Sequence, residues 1–398
     1  MSQIPARTLI YDRDISGHHL DYLQFLVEFL KQTPIEIQKQ FVFVLNEGAK
    51  GRFTKDESQI EFRYIQSEQL VTILSHTNVL RRAAVEMRYL TKLLEEYGAK
   101  RLIFMHIDAF QYELGRAAVR DLGVEMSGLL FLPFRKNFED GDTLKAKLRR
   151  EWRGLRKGLQ IRWMLRNQNL KRIFILNDKK GVKAYNHRYG KRFTHLPDPI
   201  ELDKIAAGSE NELKEKYGVA PNQLVFLIYG HLSTRKNIPN ILAALKSVRQ
   251  EKKERITMLI CGEPENGYEK TLISAIEVAE KTHPEVNFVK HFRFFDPSDT
   301  NEVFKITDVV LVPYINFFSS SNILGLAAKY NKPLIASNLG VMEGLVTQYK
   351  LGTTVSPHRP EEIAIAINKY LNNNNMLIDG SEYLNDHSAE VFCQKILF

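Results

Sequence analysis

At 398 residues, with 44% hydrophobic and 26% charged side chains, the chain is too long for one core and suits two domains of roughly 150–200 residues. Cys261 and Cys393 are its only cysteines, which excludes a disulfide framework and fits a reducing compartment. The net charge of +9 is local: Leu144 to Arg172 holds eleven Lys or Arg against Glu151 alone, so the rest sums to about −1. The opening MSQIPARTLIYDRD has no apolar signal core, and no run approaches the ~20 apolar residues that span a bilayer, so a cytoplasmic protein is expected.

Apolar runs alternate with amphipathic segments along the whole chain. The spacing predicts strands at Thr8–Tyr11, Phe41–Leu45, Ile60–Tyr64, Arg101–His106, Gly128–Phe134 and Ile173–Leu176. Helical periodicity covers Leu20–Leu30 and Val79–Tyr97. A break falls near His195–Ala207, where HLPDPIELDKIAAG mixes prolines, acids and small residues. Beyond it, strands are predicted at Leu224–Tyr229, Thr257–Cys261, Val286–Val289, Val309–Pro313 and Pro333–Ala336, with a helix over Glu302–Ile306. The alternation predicts an α/β protein with parallel sheets in two similar halves, 1–198 and 199–375, facing across a cleft. Residues 376–398 are expected to form a helical segment that packs back toward the first half.

Leu224–Tyr229 reads as a strand buried on both faces; Gly230 ends it, and Ile238, Ile241, Leu242 and Leu245 recur at helical spacing. Arg235 and Lys236 stand just before that helix. Ligands of a parallel sheet bind outside the carboxyl ends of its strands, so two cations there suit a diphosphate. A solvated loop is the competing reading.

These residues are recognisable as a set. The second half resembles the C-terminal domain of GT-B-fold glycosyltransferases, most like glycosyltransferase family 4, whose two Rossmann-like doubly wound domains face across a cleft. The family turn Gly-Arg-Leu-Ser-x-x-Lys-Gly stands here as Gly230-His231-Leu232-Ser233-Thr234-Arg235-Lys236-Asn237, with Lys236 at the phosphate-binding lysine. Cys261-Gly262-Glu263-Pro264, TDVVLVPY (Thr307–Tyr314) and NKPLIASNLGVMEGLV (Asn331–Val346) match further segments, with Glu343 at the family glutamate. Two other family glutamates have no counterpart: Phe318 and Leu326 occupy their positions. The segment Ser319-Ser320-Ser321-Asn322 instead opens a helix, and either caps it or holds a pyrophosphate.

In the first half, Asp14-Ile15-Ser16-Gly17-His18-His19 matches the family's Gly-rich first loop. Gly17 would lie under the donor; His18 and His19 either donate hydrogen bonds to substrate or merely cap the helix. His106-Ile107-Asp108 resembles the family's strand end in the acceptor half. The family histidine after the next strand is absent, and Arg135 or His106 is the candidate substitute.

Leu144, Leu148, Trp152, Leu155, Leu159 and Trp163 step by three or four residues, giving one apolar stripe flanked by Arg and Lys. Such a helix either lies on an anionic membrane surface or packs on the sheet with its charges solvated. No nucleic-acid motif accompanies the charge.

The resemblance implies a nucleotide-sugar-dependent glycosyltransferase, retaining and without metal or other cofactor, acting on a glycan or lipid-linked acceptor. It would be cytoplasmic or peripheral at the inner membrane face. The missing glutamates leave open a non-catalytic sugar-nucleotide-binding subunit. An epimerase or hydrolase on the same fold is a third reading.

Overall fold

Seven apolar runs build the first sheet: β1 (Thr8–Asp12), β2 (Phe41–Asn46), β3 (Glu61–Ile65), β4 (Arg101–Phe104), β5 (Glu125–Leu129), β6 (Leu170–Leu176) and β7 (Phe193–Leu196). All pair in parallel, in the order β3-β2-β1-β4-β5-β6-β7. The second sheet comprises β8 (Leu224–Tyr229), β9 (Ile256–Cys261), β10 (Asn287–His291), β11 (Val309–Val312), β12 (Leu334–Ser337) and β13 (Gly352–Val355). Its order is β10-β9-β8-β11-β12-β13, again wholly parallel. This computed structural model describes residues 7–15, 19–53, 58–131, 144–200, 208–372 and 378–398.

The chain forms two units, one of residues up to Pro199 with Ala389–Phe398, the other Ile200–Ser388. Each sheet reverses its winding once, between β1 and β4 in the first and between β8 and β11 in the second. Loops leaving the carboxyl ends at such a reversal splay apart and leave a crevice. Central strands are apolar on both faces because helices cover both. Val225, Phe226, Leu227 and Ile228 of β8 are wholly buried, each side chain contributing about 1.5–3 kcal/mol.

The closing helix Ala389–Leu397 belongs to the first unit: Phe392, Cys393, Ile396 and Leu397 join the core of Ile10, Leu23, Leu26, Phe41 and Phe43. Arg101 and Arg172 donate to the Leu397 and Lys395 carbonyl oxygens at its C-terminal end. The preceding helix Ser381–Asp386 stays with the second unit, its Tyr383 packed on Tyr349 and His387.

Several elements depart from the predicted ones. β5 begins three residues before the predicted Gly128, because Glu125 and Met126 pair with Arg101 and Leu102. Strands β7 and β13 were not predicted; FTHL and GTTV are short and alternate poorly, and each closes a sheet edge. β7 thus occupies the start of the expected break. The helix predicted at Glu302 begins at Pro297, capped by the Asp296 side chain on the Asp299 N–H.

Of the described stripe residues of the basic helix Leu144–Met164, only Trp163 packs, on Gly115 and Tyr112. Ile161 and Met164 are buried, whereas Leu148, Trp152, Leu155 and Leu159 stand in solvent, Trp152 at 74% exposure. The stripe does not rest on the sheet. Among the described residues no helix is long and apolar enough to cross a membrane.

Candidate functional site

Two clusters occupy the carboxyl ends of the strands that flank each reversal. In the second unit, β8 runs into Gly230 at φ 95°, a conformation that costs an L side chain about 1–2 kcal/mol and glycine almost nothing. A Cβ on Gly262, in the turn after β9, would sit 1.9 Å from the Gly230 carbonyl oxygen. Two glycines therefore let the β8 and β9 turns touch. The Leu232 N–H donates to Glu263 O and the Glu265 N–H to Leu232 O, which pins the turn.

Lys236 is 2% exposed. Its Nζ donates to the Tyr229 carbonyl oxygen at 2.6 Å and to the Tyr314 hydroxyl at 2.7 Å. Both acceptors are neutral, and no carboxylate among the described residues pairs with it. Burial, and then the charge of Arg235, push the Lys236 ammonium down to about 7. The Arg235 guanidinium stacks over Phe317 and Tyr314, with centroids at 4.6 and 5.3 Å, and it too forms no ion pair among the described residues. Stacking fixes the plane of a guanidinium and leaves its N–H edge for an oxyanion.

Tyr314, buried at the end of β11, joins this pair to the serine segment, its hydroxyl lying beside the Ser321 side chain. The serines do not cap the helix Ile323–Lys329. Its N-cap is Asn322, without a side-chain cap bond, and Ser321 is turned to Tyr314 instead. Ser319 and Asn322 are exposed; Ser320 and Ser321 are half-buried. The Val341 N–H donates to Phe318 O, and a Cβ on Gly340 would meet the Phe318 backbone at 2.5 Å. This contact holds the serine loop against the helix Gly340–Gln348, where Glu343 is exposed in the first turn. His231 is exposed beside Gly230.

Asn237 explains the departure from the family glycine. It adopts the left-handed conformation at φ 61°, which asparagine tolerates. Its buried amide donates to Pro313 O at 2.9 Å and Pro357 O at 2.6 Å. The side chain thereby ties the lysine turn to the end of β11.

In the first unit, Asp12 ends β1 with its carboxylate buried, and His19 Nδ1–H donates to its Oδ2 at 2.7 Å. Burial lifts the Asp12 carboxyl above its ordinary value. Burial opposes a charge on His19, yet the bond to Asp12 lifts that imidazole above the usual range, so the pair holds its proton. His106, after β4, places Nδ1 3.4 Å from Asp14 Oδ2 and Nε2 3.3 Å from Asp108 Oδ2. Both nitrogens face acceptors, so the doubly protonated ring satisfies both. Burial works against that charge, but the two carboxylates outweigh it and raise His106 to about 9. The bond to His106 holds Asp14 down at about 2.

Phe131 packs on both rings, its centroid 5.5 Å from His19 and 5.3 Å from His106. Asp14, His19 and His106 offer ligand atoms within 4.8 Å of one another, so this group could also close on a cation.

Of the residues singled out in the sequence, the structure brings Gly230, Arg235, Lys236 and Ser321 together through Tyr314, and His19 with His106 through Phe131. Gly17, His18 and Arg135 lie outside the described residues. Sequence reasoning missed Asp12, Asp14, Phe131, Tyr314 and the anchoring amide of Asn237. Only the paired acids of YDRD, closing a strand, offered a signal.

Residues 209–385 match the family described as Glycosyl transferases group 1. A curated relative, the D-inositol 3-phosphate glycosyltransferase of Corynebacterium urealyticum, is 25% identical over 230 residues, which cover 54% of this chain and 52% of the relative. The match thus spans about half the relative's length. Anabaena Alr3699/HepE, solved in complex with UDP, superposes with a TM-score of 0.67 at 13% identity, covering 98% of both chains. WaaG, a glycosyltransferase involved in lipopolysaccharide biosynthesis, gives 0.61 at 15% identity with the same coverage. At such identities these two likenesses establish the fold.

Two outcomes are expected. Asn237→Ala should destabilise the protein by about 2–4 kcal/mol in urea unfolding, losing both amide bonds and straining φ, while Asn237→Gly should cost less; equal costs would refute the conformational part. An NMR titration should find His106 ionising near pH 9, and Asp108→Asn should lower that value. The stabilisation from this raised imidazole is complete below the unfolded-state value of about 6.5 and lost as pH rises through 9.

Proposed function

We propose that this chain, which has the GT-B fold and matches the glycosyl transferases group 1 family over residues 209–385, moves a sugar from a nucleotide-sugar donor to a hydroxyl acceptor. The observation that carries this reading is a buried lysine held only by neutral oxygens, beside a stacked arginine, with no carboxylate on either among the described residues. A buried cation without a counter-charge is costly. The diphosphate of a nucleotide sugar would supply two negative charges.

In transfer, the bond from the sugar carbon to the diphosphate breaks with its electron pair on the phosphate oxygen, while the acceptor oxygen bonds to that carbon and its proton passes to the departing phosphate oxygen. Lys236 and Arg235 stabilise the charge as it develops, the main demand on such a site. Gly230, His231, Ser319, Ser320, Ser321, Asn322 and Glu343 complete the proposed donor-binding set. His19 and His106 are the proposed acceptor-side groups, together with His18 and Arg135 on resemblance, while Gly17 on resemblance lies under the donor. With His106 held as an imidazolium between Asp14 and Asp108, its role is to neutralise charge, not to abstract a proton.

By resemblance to glycosyltransferase family 4 the reaction is retaining and metal-independent, and the acceptor a glycan or lipid-linked saccharide of polysaccharide biosynthesis. The exposed stripe of Leu148, Trp152, Leu155 and Leu159, set among arginines, supports a cytoplasmic enzyme peripheral at an anionic membrane face. Nucleic acid is not a proposed partner. Because HepE is solved with UDP, a uridine diphosphate sugar is the first donor to test. A second reading, a sugar-nucleotide-binding subunit without turnover, is favoured by Phe318 and Leu326 at the positions of the family glutamates.

Lys236→Ala should weaken UDP binding by about 2–4 kcal/mol in calorimetry, as for loss of a charge-assisted contact; unchanged affinity would remove Lys236 from the site. Incubation with UDP-sugars and candidate acceptors should release UDP equally with and without a chelator. Loss of turnover on chelation, restored by Mn²⁺, would instead put an ion on Asp14, His19 and His106. Binding with no release for any acceptor would favour the second reading.

A further inference from the structure

The helix Leu144–Met164 runs out into a notch that the proposed transfer leaves unused. Tyr112, Leu159, Gln160, Arg162, Trp163 and Arg166 line a cavity of about 370 Å³. The Trp163 indole is its fixed wall. Nε1–H donates to the Tyr112 carbonyl oxygen at 2.9 Å. Gly115 stands against the ring, where a Cβ would fall 2.3 Å from Trp163 Cδ1. The Arg166 guanidinium lies over the indole, 4.8 Å from the ring centroid. Arg162 precedes it by one helical turn, and both arginines are exposed. Neither forms an ion pair among the described residues.

The exposed row Leu148, Trp152, Leu155 and Leu159 leads along the helix to this notch, with Arg149, Arg153 and Arg156 exposed beside it. Whatever covers such a face must be apolar under the row and anionic at its rim. A nucleic-acid strand meets only the second requirement. A bilayer of anionic lipid meets both, acyl chains under the leucines and phosphates at the arginines.

We propose that the notch at Arg162, Trp163 and Arg166 binds the phosphate of an anionic lipid headgroup while the Leu/Trp row enters the acyl boundary. It rests on the membrane reading given above and adds a defined headgroup site to it. A planar guanidinium held on an indole presents paired N–H groups to phosphate oxygens, which a lysine cannot reproduce. Trp163 and Tyr112 are suited to the same depth, apolar in body and polar at the tip.

The chain has two tryptophans, so Trp152→Phe leaves Trp163 as sole reporter. Full-length protein is mixed with phosphatidylcholine vesicles, with or without phosphatidylglycerol, carrying brominated acyl chains that quench a nearby indole. Trp163 should be quenched by the anionic vesicles. Replacing Arg162 and Arg166 by Gln should lower partitioning roughly 30-fold. The charge-conserving pair Arg162→Lys and Arg166→Lys should still lower it roughly tenfold.

Equal partitioning of the Lys variant and its parent would overturn the notch and leave the membrane reading standing as general electrostatics. Failure of the parent to bind either vesicle would overturn both. A Trp163 response to inorganic phosphate alone, undiminished by vesicles, would identify a free anion and overturn the lipid assignment.

Discussion

An ammonium buried without a carboxylate is the constraint around which the C-terminal unit is arranged. Lys236 could be paired cheaply by any acid on a neighbouring loop, and none of the described ones provides it. Its positive charge is instead tolerated by a backbone carbonyl and a phenol, which solvate a cation but do not neutralise it. The cost shows in its ionisation, driven down to about 7 chiefly by burial. The surrounding sequence choices converge on keeping that nitrogen in place. Gly230 and Gly262 let two strand ends meet, Asn237 locks the turn in a left-handed conformation, and Tyr314 links the lysine to Ser321. A site built this way is stabilised by its ligand.

The two units use the same topology for opposite electrostatics. Each sheet reverses winding once, and each cluster lies at the carboxyl ends flanking that reversal. In the C-terminal unit the centre of the cluster is cationic, and among the described residues no carboxylate pairs with Lys236 or Arg235. In the N-terminal unit three aspartates pair with two imidazoles and favour their charged forms. The first arrangement suits a leaving diphosphate. The second suits polar hydroxyl-bearing ligands, which can accept from a fixed imidazolium N–H and donate to an aspartate.

Much of this was legible in the sequence, for identifiable reasons. Buried parallel strands such as Leu224–Tyr229 are continuous apolar runs, and turns such as Gly230–Asn237 carry their chemistry at fixed spacing. Edge strands β7 and β13 were not legible, because a strand covered on one side need not be apolar throughout. The partners of the histidines were missed for two reasons: Asp14 meets His106 across 92 residues of sequence, and Asp12, seven residues before His19, reads only as the polar end of a strand. The helix Leu144–Met164 is instructive in another way. Periodicity identified its apolar stripe, but could not tell that Ile161 and Met164 are buried and Leu148, Trp152, Leu155 and Leu159 are left in solvent.

The most direct measurement of the central claim is the proton balance of diphosphate binding. Calorimetry of UDP binding near pH 8 in buffers of different ionisation enthalpy reports how many protons the complex takes up. If Lys236 is a buried cation awaiting an anion, it is mostly deprotonated there when free and regains its proton on binding, so uptake should approach one proton. Lys236→Met should abolish that uptake. No uptake in the parent protein, or the same uptake in the variant, would contradict the account.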